Sequence, residues 1–442
     1  MSIPMTQAAT PPAPSILDEL DTRGLIHDTT DRGELAKRLA SGPISLYYGC
    51  DPTADSLHVG NLIGLLVLRR FQDAGHRVVA LAGGATGMVG DPSGRSEERN
   101  LLDEATLDAN VRAIKAQIAR ILDLGDESRA LLVDNRTWTV DLTLLDFLRN
   151  IGKHVTVNQM VARESVKARM ASEQGISYTE FSYMLLQAHD FLWLHTNRGV
   201  EMQIGGSDQW GNIVSGIDLI RRVRGIAAYG LSWPLMTDAG GAKVGKTTGA
   251  RVWLDPAKTS PYAFYQHWIQ TDDLDVRDRL CKFTLLAVAE IDQIVDDHHT
   301  TPERRAAQRV LAHEATQLVH GRGAAVAAEQ ATRVLFGGTV DDVGADAFEL
   351  LAAEVPSVRA PGMPGNGTAD NGVDVVDVLV DSGLASSRSD ARRNLEAGAV
   401  YVNGERVATG HTVGSADLRH GRYALIRKGK KHYAVLVADG GD

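Results

Sequence analysis

The sequence predicts an α/β protein in which a parallel sheet is covered by helices on both faces, with a helical segment and a small α+β unit following it. Three observations carry this expectation. Between 45 and 222, short apolar runs alternate with segments of helical period. From 255 to 354 the strand signal gives way to Ala- and Leu-rich stretches with charges at helical spacing. Residues 373–442 then read as helix, helix and a strand pair turned by Asn403-Gly404. A chain of 442 residues exceeds one ordinary core, so two or three domains are expected.

In chain order, MSIPMTQAATPPAPS (1–15) lacks both the basic and the apolar region of a signal peptide. It reads as a short disordered lead, and a cytoplasmic location follows. The sheet domain spans 16–254. Its strands are SLYYG, RVVALAGG, RALLVDN and VEMQIGG, with helices expected over 57–74, near 106–124 and over 208–223. Ligands of such sheets bind beyond the carboxyl ends of the strands. After the helical domain, 255–354, the Pro, Gly and Asn density of VPSVRAPGMPGNGTADNG marks 355–372 as a linker.

Composition narrows the function classes. The longest apolar runs, such as LLVL at 65–68, are far short of a membrane span. Cys50 and Cys281 are the only cysteines, which excludes a disulfide framework and a cysteine-rich zinc site. The net charge of -10 is uneven: Arg419, Arg422, Arg427, Lys428, Lys430 and Lys431 crowd a stretch with no acidic residue. That stretch is either a solvated edge or an electrostatic footprint for phosphate backbones.

Five clusters carry candidate chemistry. In CDPTADSLHVGN the chain leaves a strand at Asp51-Pro52-Thr53, and a helix is expected from Ser56 or Leu57, with His58 and Gly60 in its first turn. Free N–H groups and the positive end of the helix dipole favour phosphate there. Thr53 and His58 add donors, and Gly60 permits close approach. The bland alternative is a helix start with an incidental histidine. GGATGMVGDPSGR (83–95) is either a flexible loop or a glycine-rich bend that sets Asp91 to hold an ammonium group.

In FSYMLLQAHDFLWL, Tyr183, Gln187 and Asp190 fall at i, i+4 and i+7 and share one helix face, with His189 off it. A polar stripe on so apolar a helix is costly unless something satisfies it. QIGGSDQWGN (203–212) is another strand, Gly-Gly turn and helix start, where Asp208 suits two ribose hydroxyls and Gln209 a carboxyl group. GGAKVGKT (240–247) matches the phosphate-loop pattern letter for letter, but TTGARVWLDP after it alternates like a strand instead of opening a helix. Lys243 and Lys246 remain as two cations on a Gly-rich loop, suited to closing over phosphates.

Together these stretches resemble the class I aminoacyl-tRNA synthetases, and within them the bacterial-type tyrosyl-tRNA synthetases, over nearly the whole chain. His58-Val-Gly-Asn61 is similar to the HIGH signature and Lys243-Val-Gly-Lys-Thr247 to the KMSKS signature. SLYYGCDPTADSLH, GGATGMVGDPSG, YTEFSYMLLQAHDFL and QIGGSDQWGN separate the tyrosine enzymes from the related tryptophan ones. The resemblance implies a Rossmann-like catalytic domain, a helical anticodon-side domain and a C-terminal RNA-binding module of ribosomal-protein type. It also implies L-tyrosine, ATP with Mg2+ and tRNA(Tyr) as substrates, and a homodimer.

Carried over position by position, the resemblance places Thr53, His58 and Asn61 with Lys243, Lys246 and Thr247 around the phosphates. Gly49, Asp51, Gly60, Gly206 and Asp208 would line the nucleotide. Asp91, Tyr183 and Gln187 would hold the amino group, Gln209 the carboxylate region, and Tyr47 with Asp190 the phenol oxygen. A pocket that bonds a hydroxyl rejects the analogue lacking it, and these tyrosine enzymes are themselves the standard example, at about 10⁵. Two departures stand out: Asn61 where the signature's last histidine often is, and KVGKT where Met and Ser are commoner. Arg95 keeps a positive charge often found in the loop after Asp91. Two rivals are weighed against this reading: a catalytically silent relative that binds RNA, and a P-loop NTPase.

Overall fold

The computed structural model describes residues 15–91, 93, 102–171, 175–237, 251–360 and 372–438. It forms two compact units, one from the described parts of 1–255 with 272–307, the other from 256–271 with the described parts of 308–442.

The first unit is built on a six-stranded sheet. Its strands are β1 (Asp28–Thr29), β2 (Ser45–Cys50), β3 (Arg77–Ala82), β4 (Ala130–Asp134), β5 (Val200–Gly206) and β6 (Tyr229–Trp233), in the order β1-β6-β5-β2-β3-β4. All neighbours are parallel except β1, which runs antiparallel along β6. Strand order reverses between β2 and β5, and such a reversal opens a crevice at the carboxyl ends of the two strands. The helices that matter to this crevice are α1 (Val59–Asp73), α2 (Glu104–Ile121), α3 (Tyr178–Arg198) and α4 (Trp210–Arg224).

Local sequence explains their bounds. Ser177 caps α3 by accepting from the Glu180 N–H, and Gly199, at φ +68°, ends it in the left-handed conformation that glycine adopts freely. Along α1, Leu62, Ile63, Leu65, Leu66, Val67 and Leu68 are all buried, which fits a helix pressed against a sheet. Helix Val276–Phe283 belongs to this unit because two buried arginines grip its end. Arg23 Nη1 and Arg70 Nη2 donate to the Cys281 carbonyl at 3.2 and 3.0 Å. Cationic donors at a helix C-terminus satisfy carbonyls that have no partner within the helix.

In the second unit a five-stranded sheet has helices on both faces. It comprises β7 (Ser357–Ala360), β9 (Val400–Val402), β10 (Glu405–Arg406), β12 (Tyr423–Lys428) and β13 (His432–Ala438), while β8 (Val373–Asp374) and β11 (Thr412–Val413) pair apart. Alternation along β12 and β13 sends Tyr423, Leu425, Tyr433 and Val435 towards Ala331, Phe348 and Leu351. The intervening Ala424, Ile426, Ala434 and Leu436 meet Val378, Leu379 and Leu395. β7 arises from within the stretch read as linker. Its partly buried Val358 and buried Ala360 alternate inward beside β13, a two-residue pattern that the neighbouring Pro and Gly density obscures. The Asn403-Gly404 turn joins β9 to β10 with φ of +49° and +91°, the signs a type I′ hairpin requires.

Candidate active site

Tyr47 of β2 and Asp190 of α3 are both buried. Tyr47 is 2% exposed, packs its ring on Phe191 with centroids 5.3 Å apart, and has its hydroxyl buried with no hydrogen-bond partner among the described residues. Asp190 accepts from Asn135 Nδ2 at 2.9 Å and from Trp138 Nε1 at 2.8 Å. Burial pushes the Asp190 carboxyl up to about 7 against the pull of those two donors. A buried phenol beside a buried carboxyl leaves hydrogen-bonding capacity for one more hydroxyl. Next to Tyr47 in register, β5 contributes Gln203, whose Oε1 is likewise buried and unpartnered.

Two α3 turns from Asp190, a polar network begins. Tyr183 Oη donates to Asp51 Oδ2 at 2.7 Å, and Thr86 Oγ1 donates to Asp51 Oδ1 at 2.7 Å. Asn135 ties this to the phenol pocket, donating to Thr86 Oγ1 at 3.0 Å as well as to Asp190. A second group links Asp91, Gln209, Gln187 and Asn212. Gln209 Nε2 donates to Asp91 Oδ2 at 2.7 Å, and Asn212 Nδ2 donates to Gln187 Oε1 at 3.0 Å. The polar stripe of α3 is thus satisfied largely within the chain, and each of its three residues anchors a different part of one cleft. His189 is buried too, and burial lowers its pKa.

At the start of α1 the helix begins at Val59, not at Ser56 or Leu57, and His58 is its N-cap. The displacement has a tertiary cause. Leu57 N–H donates to Gln117 Oε1 of α2 at 2.8 Å, and residues 57–59 pair with 252–254 through a bridge between His58 and Trp253. His58 Nδ1 accepts the Gly60 N–H at 3.0 Å, while Asn61 Oδ1 accepts the His58 N–H at 3.1 Å, a reciprocal capping box. Because Nδ1 accepts, the neutral ring carries its proton on Nε2, available to a ligand. Burial, helped by Arg251, lowers His58 to about 4, so it is neutral at physiological pH. Gly60 has a second reason to be glycine: a Cβ there would lie 2.8 Å from the His58 ring.

Thr53 is exposed, with its N–H bonded to the Asp51 carbonyl at 2.9 Å. Gly49, also exposed, follows Tyr48 at the end of β2. At the end of β5, a Cβ on Gly206 would come within 2.8 Å of Asp208 Oδ1, so Gly206 leaves Asp208 its place at the rim. Lys243, Lys246, Thr247 and Arg95 lie outside the described residues, as does the whole phosphate-loop-like stretch. Among the described residues no group of three or more His, Cys, Asp or Glu could hold a metal, and no helix is long and apolar enough to cross a membrane.

Sequence reasoning passed over Asn135, Trp138, Gln203 and Asn212. Gln203 leaves a trace, a polar residue inside an apolar strand. Asn135 and Trp138 leave none, because their role depends on a helix more than fifty residues away.

A family model described as class I tRNA synthetases (W and Y) matches residues 39–337, and one described as the Tyrosine--tRNA ligase SYY-like C-terminal domain matches 351–436. The chain is 49% identical over 424 residues to the tyrosine--tRNA ligase of Opitutus terrae, covering 96% of this chain and 99% of that one. Against the tyrosine--tRNA ligase of Geobacillus kaustophilus it is 47% identical over 424 residues, covering 95% and 99%. A C-terminally truncated mitochondrial tyrosyl-tRNA synthetase of Aspergillus nidulans is similar in structure, with a TM-score of 0.67 and 32% identity over 73% of this chain and 94% of that chain. The first unit therefore has the Rossmann-like fold expected from the sequence.

Proposed function

The chain belongs to the class I tRNA synthetase family of the tryptophan and tyrosine enzymes, and from that premise we propose that it ligates L-tyrosine to tRNA(Tyr) at the expense of ATP. The observation that carries the choice of tyrosine is the unpartnered Tyr47 hydroxyl facing the buried Asp190. A tyrosine phenol placed there donates to Asp190 and accepts from Tyr47. Phenylalanine would leave the Tyr47 hydroxyl buried without a partner and bring Asp190 no donor, which is costly.

The ligation takes two steps. The tyrosine carboxylate attacks the α-phosphorus of ATP, forming the acyl-phosphate bond and expelling pyrophosphate. A terminal ribose hydroxyl of the tRNA then attacks the acyl carbon and releases AMP. Asp91, Tyr183 and Gln187 hold the ammonium group, Gln209 orients the carboxylate, and Asp208 with Gly206 receives the ribose. Asp51, between Thr86 and Tyr183, lies where nucleotide and amino group meet. His58 Nε2–H, Thr53 and the first turn of α1 stabilise charge building on the phosphates, and Lys243, Lys246 and Thr247 close over pyrophosphate. Magnesium enters with ATP. Positioning and charge stabilisation carry the rate, with no covalent enzyme intermediate.

Lys430 and Lys431 are exposed at the β12–β13 turn, and the Arg427 guanidinium stacks on Tyr401 at 3.9 Å. This edge suits an RNA backbone, with affinity falling as salt rises. In the first unit, Val140, Leu144, Leu145, Val157 and Tyr178 are 62–78% exposed within one stretch of chain, an apolar surface that a second copy would cover. We expect a cytoplasmic homodimer that Leu144→Asp with Leu145→Asp converts to monomer in sedimentation. Exchange of labelled pyrophosphate into ATP tests the main reading. It should depend on tyrosine and fail with phenylalanine and tryptophan; no exchange at saturating tyrosine overturns it.

A further inference from the structure

Asp190 and Trp193 stand three positions apart on α3, so their side chains are neighbours on one side of the helix. Both meet Trp138, which lies on the four-residue helix Arg136–Thr139. Its indole Nε1 donates to Asp190 Oδ1 at 2.8 Å, while its ring lies flat on the Trp193 ring, with centroids 4.2 Å apart and planes 10° from parallel. One side chain is thus gripped twice by α3. Trp193 itself is half-buried against the cluster that holds Tyr47 and Phe191, and the Arg198 guanidinium stands over its ring, 5.8 Å from the centroid.

The two donors to Asp190 are held in different ways. Asn135 is fixed by polar bonds, since its Oδ1 accepts the Ala85 N–H at 2.7 Å and its Nδ2 donates to Thr86 as well as to Asp190. Trp138 has a single polar side-chain atom, and Asp190 takes it. The tilt of its ring is therefore set by packing. The helix beneath it is short, has no side-chain cap and runs into Val140, which is 69% exposed, so the flat face of Trp193 is what gives the indole a preferred orientation.

We propose that Trp193 is a positioning residue that determines specificity: by stacking on Trp138 it aims the indole N–H at Asp190 and so holds the carboxyl that recognises the tyrosine phenol. This rests on the tyrosine reading above. Trp193 acts through Trp138 and Asp190, so its loss should weaken the use of tyrosine and leave the use of ATP alone.

The test is pyrophosphate exchange with the full chain. Trp193→Leu keeps an apolar group against the cluster and removes the flat face. KM for tyrosine should rise about two- to ten-fold, the range of one aromatic pair, with KM for ATP unchanged. Trp193→Phe restores a ring and should recover most of that loss. Trp138→Phe keeps a ring for the stack but has no N–H, so it should raise KM for tyrosine by itself, and adding Trp193→Leu should raise it no further. An unaltered KM for tyrosine in Trp193→Leu, equal rises in both KM values, or single effects that multiply in the double variant overturns the proposal. Trp138→Phe is an arm that does not depend on how well Trp193→Leu folds: wild-type KM for tyrosine there also overturns it. A wild-type chain with no tyrosine-dependent exchange overturns the tyrosine reading itself and this inference with it.

Discussion

The two ends of the cleft solve opposite problems. The phenol end is dry and prebuilt: Tyr47, Asp190, Asn135 and Trp138 are each no more than 9% exposed, and Asp190 is held from two sides. The phosphate end is open. Thr53, Gly60 and Asp208 are exposed, and His58 is half-buried. A selective pocket gains from desolvation, because an unpaired buried group penalises the wrong ligand. A site for a polyanion that must enter and leave as pyrophosphate gains from exposed donors and a helix terminus.

The comparison breaks most sharply at Asp190. Asp190→Ala leaves Trp138 Nε1 without its acceptor and Asn135 Nδ2 with Thr86 alone, and should reduce the preference for tyrosine over phenylalanine by about 10³ or more, read as the ratio of kcat/KM values in exchange. An unchanged ratio would move the recognition of the phenol elsewhere.

The dryness of the same end also has a pH signature. Asp190 stands at about 7 in the fold against an ordinary 3.8, so between those values the folded chain binds the extra proton. Stability from this group is then lost as pH rises through that window. Relative to wild type, Asp190→Asn without tyrosine should gain up to about 4 kcal/mol between pH 4 and 7, measured by denaturant titration. A difference that stays flat with pH would show that water reaches the carboxyl.

At the open end, His58→Ala should slow exchange by about 10²–10³-fold in kcat, the loss typical of one donor to developing charge. It also removes a helix cap, worth about 1 kcal/mol of stability. His58→Asn separates the two effects, since it can cap α1 without reaching the phosphates. If both variants keep full kcat, the donor is another group.

Much of the site was legible because its residues cluster at strand-to-helix turns, where a few contiguous letters set both backbone and chemistry. The Asp-Pro-Thr exit from β2, the Gly-Gly bend before Asp208 and the i, i+4, i+7 stripe of α3 are of this kind. The antiparallel β1 was not legible, since two residues carry no periodicity. Nor was the start of α1, which contacts with Gln117 and Trp253 move past Ser56.

What the chain's order of residues decided was the local vocabulary: which segments are strands, where helices can begin and which polar groups sit at those junctions. Short-range sterics and hydrogen bonding settle such matters within a few residues. Only packing decided which groups meet. Asn135 reaches Asp190, Tyr183 reaches Asp51, and Tyr48 lies on Gly64, because parallel strands bring distant turns to one edge of the sheet. The upward shift of Asp190 belongs to that level too, since removal from water is a property of everything around the carboxyl and of no neighbour in sequence.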